Sequence, residues 1–125
     1  SSSLNNGLFS VVNLLVNNVN HSIREEGLIL SDKLSKFEHL SVELKEIGIY
    51  DAINEYLVNK TTNCRNCIGL CFSILISMLN FNNEDLLKNM NQIKERTLIT
   101  ISNILIPPED LEIWSLREKL IKLLK

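Results

Sequence analysis

An all-α solenoid segment is the fold class this sequence predicts, and three observations carry the prediction. Gly7 and Gly48 set an offset of 41 residues at which the chain repeats its own pattern. Gly7-Leu8-Phe9, Val11, Val12 and Val16 fall on Gly48-Ile49-Tyr50, Ala52, Ile53 and Leu57, and further along Ile23-Arg24 falls on Cys64-Arg65, Leu30 on Cys71, Leu34 on Leu75 and Phe37 on Met78. Second, the apolar residues of each segment recur at steps of three and four, which is helical spacing. Third, helix-only periods of roughly 40–47 residues belong to stacked arrays, where each unit buries its apolar seam against its sequence neighbours. Such arrays are surfaces for holding other proteins.

Each element follows from local signals. Residues 4–16 place Leu8, Val11, Val12, Leu15 and Val16 at helical spacing, and Asn17-Asn18 closes the run. A second helix is predicted over about residues 23–37, capped by Asn20 or Ser22, with Ile23, Gly27, Leu30, Leu34 and Phe37 inward. Gly27 is expected to let a neighbouring backbone come close. A shorter helix over residues 40–47 ends at Gly48, the bend into another that continues to Val58. Lys60-Thr61-Thr62-Asn63 reads as a polar linker, with Thr62 or Asn63 as N-cap of a helix over residues 64–79.

Residues 80–83 break the pattern, and Glu84 and Asp85 suit the positive end of the next helix, whose apolar side is Leu86, Leu87 and Met90. A further helix over residues 94–106 stops at Pro107-Pro108, because the residue before a proline disfavours helical geometry. The final helix begins near Glu109 or Asp110 and turns Ile113, Leu116, Leu120 and Leu124 inward. This third copy is expected to be stretched and to lack the glycine bend. The β-branched run over residues 99–106 imitates a strand, but an isolated strand has no pairing partner.

The totals narrow the function classes. A chain of 125 residues that is 45% hydrophobic fits one domain, residues 1–125, holding about two full repeats with a partial one at each end. Ser1-Ser2-Ser3 offers neither an initiator Met nor a basic n-region, so it reads as an internal cut rather than a signal peptide, which is compatible with a fragment of a longer array. With 13 basic and 15 acidic side chains the formal charge is −2, and neither sign forms a block; a nucleic-acid partner is not expected. Apolar runs of a few residues fall far short of the ~20 that cross a bilayer, so no membrane partner is expected. An odd cysteine count of three points to a reducing compartment, cytoplasmic or nuclear. The sequons Asn20-His21-Ser22 and Asn59-Lys60-Thr61 would matter only in a secreted chain.

The succession Val42-Glu43-Leu44-Lys45-Glu46-Ile47-Gly48-Ile49-Tyr50-Asp51-Ala52-Ile53-Asn54-Glu55-Tyr56-Leu57 resembles the first two helices of an armadillo repeat. In that family a helix, a glycine bend and a second helix precede a longer third helix, and residues 23–37 and 64–79 resemble third helices. The resemblance covers nearly the whole chain and implies a right-handed armadillo-type α-solenoid. In the nuclear-import adaptors of the family a Trp, and an Asn four residues on, clamp the ligand backbone from the third helix. The corresponding positions here hold Leu28 and Asp32, then Gly69 and Ser73, so that clamp pattern is absent.

Cys64-Arg65-Asn66-Cys67 followed by Cys71 is the motif that invites a chemical reading, since Cys-x-x-Cys can ligate zinc or exchange disulfides. On a helix the three sulfurs share a stripe with Ile68, Leu75 and Met78, and His21 and His39 show no metal spacing in sequence; core packing is expected, with no metal and no cofactor. Glu25-Glu26 and Glu109-Asp110 could be imagined as paired carboxylates but read as solvated helix positions. No enzyme is expected. A third helix that buries one stripe presents the opposite one, which puts Glu25, Leu28, Asp32 and Lys36, then Asn66, Gly69, Ser73 and Ser77, along a groove for a protein or peptide partner. The expected function is a non-enzymatic scaffold that binds there. A chaperone-associated adaptor of armadillo type is the runner-up. A compact helical bundle regulating association, with helices wrapped round a central one, would also suit the composition, and the cysteines would suit a metal or redox protein. The terminal helices, over residues 4–16 and 113–124, could also mediate self-association.

Overall fold

A computed structural model describes residues 3–59 and 64–125, with side chains from residue 7 onward. Among the described residues the chain is all-helical, without strands, in the order α1 (Ser3–Val16), α2 (His21–Leu34), α3 (Glu38–Glu46), α4 (Ile49–Val58), α5 (Arg65–Leu79), α6 (Glu84–Leu87), α7 (Met90–Ser102) and α8 (Leu111–Leu124). The run over residues 99–106 is helix up to Ser102 and loop beyond it. No helix among these is long and apolar enough to cross a membrane.

Caps and bends lie where short polar residues can satisfy the open ends of helices. Asn20 Oδ1 accepts from the Ser22 and Ile23 amides at 3.0 and 3.2 Å and starts α2. Asn83 does the same for α6 with Asp85 and Leu86. The expected caps Thr62 and Asn63 lie outside the described residues, and the N-cap of α5 is Cys64, whose Sγ accepts from the Cys67 amide at 3.3 Å. Gly48 makes the bend between α3 and α4 at φ +87°, a left-handed conformation in which a Cβ would be strained.

The third copy differs from expectation in an instructive way. Asn89, at φ +58°, bends the chain between α6 and α7, and it stands 41 residues after Gly48. Asparagine tolerates the left-handed region because its side chain can bond locally. The bend is therefore present with a different residue, and the helix expected over residues 94–106 begins at Met90 and ends at Ser102. Register is kept through Asn89. The extra length enters later, as a 13-residue α7 against a 10-residue α4 and as the loop over residues 103–110.

Packing joins elements three apart in chain order: α1 lies on α4 and α4 on α7, α2 on α5 and α5 on α8, and α3 on α6. Sequence neighbours close the remaining seams, chiefly α1 with α2 and α7 with α8. Side-chain hydrogen bonds repeat the spacing. Lys36 reaches Ser73 and Ser77, Lys45 the carbonyls of Asp85 and Leu86, Asn54 Thr97, Arg65 Asp110, Asn83 Glu38 and Arg96 Asp51, over separations of 37 to 45 residues. The core runs continuously through Val12, Ile49, Ile53, Phe72, Ile74, Leu75, Ile101 and Leu120.

The buried stripe of α2 is displaced from the expected one. Ile23 and Phe37 are 39% and 56% exposed, whereas Gly27, Leu28, Ser31 and Ser35 are buried. The reason is that α2 is wedged between α1 and α5, where small residues permit close approach. An added Cβ on Gly27 would stand 2.7 Å from Leu15 Cβ and 2.8 Å from the Val16 backbone nitrogen. The serine hydroxyls are satisfied within the chain, Ser31 donating to the Gly27 carbonyl at 2.8 Å and Ser35 to that of Asp32 at 2.7 Å, so their burial leaves no unmet donor.

Candidate functional site

The side-by-side packing of α2, α5 and α8 leaves a groove along their outward faces, with a cavity volume of about 470 Å³. Glu25 and Ile29 line it from α2, Arg65, Asn66, Gly69, Leu70 and Ser73 from α5, and Glu112, Ile113 and Leu116 from α8. Gly69 sets the depth: a Cβ there would meet Ile113 Cδ1 at 3.2 Å. Four of the eight expected residues, Glu25, Asn66, Gly69 and Ser73, thus line one groove. At one end Lys36 Nζ donates to Asp32 Oδ1 at 3.1 Å, Ser73 Oγ at 3.0 Å and Ser77 Oγ at 2.7 Å, gathering three more expected residues into one hydrogen-bonded cluster across α2 and α5.

Leu28 is the exception. It is 2% exposed and belongs to the core, so its side chain is not available to a ligand in the groove. Ile29 takes the place expected for it, because the outward stripe of α2 runs through 25, 29, 32 and 36 at steps of four, three and four. Two adjacent apolar residues of similar size gave no compositional reason to prefer one. Arg65, Leu70 and the α8 contributors were also missed. The first two lie one turn along from recognised positions on α5, and the last depended on where the stretched third copy regains register.

Charges in the groove are largely paired. Arg65 Nε donates to Asp110 Oδ1 at 2.6 Å, and its Nη2 stands 3.6 Å from Glu112 Oε2. The carboxylate of Asp110 raises the Arg65 pKa further. A second cavity, about 570 Å³, lies behind Arg65 and is walled mainly by Leu57, Ile68, Ile99, Ile104, Ile106 and Ile113.

The cysteines divide into two environments. Cys71 is fully buried, and burial drives its thiol pKa up, as expected for a core residue. Cys67 is also buried, and desolvation pushes it up to about 12. Cys64, half-buried at the start of α5, sits with Cys67 beside the first turn of α2, where His21 and Glu25 lie one helical turn apart. One donor atom from each of His21, Glu25, Cys64 and Cys67 falls within 4.8 Å of all the others. The absence of metal spacing between the histidines and cysteines in sequence is therefore misleading, because the fold brings His21 to the cysteines. His39 is exposed on α3. No family model, no curated protein and no solved structure matches this chain.

Proposed function

We propose that this chain is a segment of a right-handed, armadillo-type α-solenoid that works as a non-enzymatic protein-interaction scaffold, gripping an extended partner segment along the groove of α2, α5 and α8. The observation that carries the reading is that like helices lie beside like at every third element, with hydrogen bonds spanning one repeat length and the outward faces of α2, α5 and α8 left as a continuous groove. A bundle wrapped round one helix gives no reason for such regular spacing.

The groove suits an extended strand of peptide. Packed helices stand roughly 8–10 Å apart and an extended chain advances about 3.3 Å per residue, so crossing from α2 to α8 takes about five or six residues. Ile29, Leu70 and Leu116 offer apolar contact for alternate side chains, while Asn66 and Ser73 offer hydrogen bonds to a backbone whose groups need partners on leaving water. A cytoplasmic or nuclear setting fits the thiol content.

Selection of heptapeptides from a displayed library, followed by fluorescence polarisation of those recovered, tests the groove. Asp32→Lys combined with Ser73→Lys crowds three ammonium groups at one end and is expected to weaken binding by at least about tenfold, or ~1.4 kcal/mol. Glu55→Lys on the exposed side of α4 leaves it unchanged. Peptides whose affinity is indifferent to the paired substitution would remove the groove from the reading.

A further inference from the structure

We propose that His21, Glu25, Cys64 and Cys67 form a tetrahedral zinc site that ties the start of α2 to the start of α5. The assignment does not depend on the groove having a partner. Two nitrogen- or oxygen-bearing ligands from one helix and two thiolates from another make a complete donor set for Zn²⁺, and their atoms already lie within 4.8 Å of one another. At Zn–S of about 2.3 Å and Zn–N or Zn–O of about 2.0–2.1 Å, tetrahedral donors stand roughly 3.3–3.8 Å apart. The remaining difference, at most about 1.0–1.5 Å, is the movement that side-chain torsions would supply on binding.

Three further features converge on a cation. Among the described residues His21 Nδ1 is buried without a hydrogen-bond partner, a lone pair or N–H left unanswered there. Cys64 occupies an N-cap normally held by Ser, Thr, Asp or Asn, and its sulfur accepts the Cys67 amide at 3.3 Å, which holds the two cysteines side by side at the start of α5. His21 and Glu25 project from one face of α2, as two ligands on a single helix must. Each thiol gives up its proton to solvent as the ion binds, the imidazole binds through its unprotonated nitrogen and keeps its other N–H, and no electrons are transferred. With four protein donors the site is closed, so its role is structural: it fixes α5 against α2 across a chain segment that both cysteines follow.

The test uses the whole chain, purified under reducing conditions without chelator. Elemental analysis is expected to find about one zinc per chain. Adding Co²⁺ to the reduced, metal-free chain is expected to produce intense visible bands with thiolate charge transfer in the near ultraviolet. Cys64→Ser and Cys67→Ser diminish the charge transfer. His21→Ala and Glu25→Gln raise the apparent Kd for cobalt at least about tenfold, since even groups one bond beyond a metal ligand are worth 10- to 100-fold. Cys71→Ala leaves spectrum and Kd unchanged. Should a cysteine variant fail to fold, zinc released from the wild-type chain by a thiol-blocking reagent, together with the His21→Ala titration, decides the matter. A fully reduced chain that holds no zinc and gives no cobalt bands overturns the proposal. So does a spectrum indifferent to His21→Ala and Glu25→Gln, or one lost with Cys71→Ala.

Discussion

Two mid-helix glycines make opposite predictions from the same substitution. At Gly27 an added methyl would meet Leu15 Cβ at 2.7 Å, the Val16 nitrogen at 2.8 Å and the Leu15 carbonyl carbon at 3.0 Å. Ordinary carbon contacts lie near 3.5–4.0 Å, so α1 must retreat from α2 by roughly 0.8–1.2 Å, and two of the three obstacles are backbone that cannot rotate away. Overpacking costs about 1–3 kcal/mol, and backbone contacts at 2.8 and 3.0 Å put Gly27 in the upper part of that range, about 2–3 kcal/mol, of which alanine returns about 1 kcal/mol of helix propensity. Gly27→Ala is therefore expected to lose about 1–2 kcal/mol and, at roughly 4 °C per kcal/mol for a chain of this size, about 4–8 °C in Tm. Gly69 has only the tip of the Ile113 side chain near it, at 3.2 Å. A few tenths of an ångström of side-chain movement clears it, so Gly69→Ala is expected to gain about 0.5–1 kcal/mol. Urea denaturation followed by circular dichroism, at equal zinc and reductant, reads both. A Gly27→Ala chain as stable as wild type would refute the close approach of α1 to α2, and a Gly69→Ala chain losing more than about 1 kcal/mol would refute the side-chain-only contact between α5 and α8.

Two other positions yield smaller tests. Tyr50 is 4% exposed, its hydroxyl is buried and unpartnered among the described residues, and burial holds its pKa well above the usual phenol value of 10.0. The folded chain thus keeps a proton that the unfolded chain gives up, so this contribution is intact below pH ~10 and is lost as pH rises beyond it. Tyr50→Phe is expected to stabilise by about 1 kcal/mol at neutral pH and to flatten the fall in urea midpoint between about pH 9 and 11; an unchanged slope would count against it. Lys45 donates to the Asp85, Leu86 and Lys88 carbonyls at the end of α6, at the cost of a pKa lowered by desolvation. Lys45→Met keeps the aliphatic stem and removes the donors, with an expected loss of about 1–2 kcal/mol and faster amide exchange in α6; protection equal to wild type would show the bridge to be idle.

Much of the helical layout was legible because it rests on local signals. The bend at Gly48, the break over residues 80–83 and the inward Ile113, Leu120 and Leu124 are written in glycine chemistry, asparagine caps and helical spacing. What escaped depends on tertiary context. The bend at Asn89 was hidden because the expected signal was a glycine, although its place in the 41-residue register was available. The stripe of α2 was misread because Ser31 and Ser35 look like surface residues until the close packing of Gly27 explains why small side chains are wanted inside. Four of the groove residues came together as expected, but choosing Ile29 over Leu28 required knowing which flank α5 covers. His21 stands 43 residues before Cys64, a separation no ligand-spacing rule inspects.

That last separation is close to one repeat length, and it explains why a ligand set could arise there. Stacking at every third element sets the start of α2 beside the start of α5, so a residue in the first turn of one unit faces its equivalent in the next. Ile23 and Cys64 are such equivalents by the 41-residue offset. A histidine two residues earlier and a glutamate two residues later then flank the cysteine from across the seam. Glu25 also lines the groove. On the two proposals together, its carboxylate either faces a ligand in the groove or coordinates the ion, and coordination withdraws one negative charge from the peptide path, leaving Asp110 and Glu112 to oppose Arg65. Zinc would then act on the groove through the charge of a shared residue as well as through the position of α5, and the two effects separate when Glu25→Gln is compared without zinc and at saturating zinc: the charge is gone in both states, so any remaining change in peptide affinity comes from the position of α5.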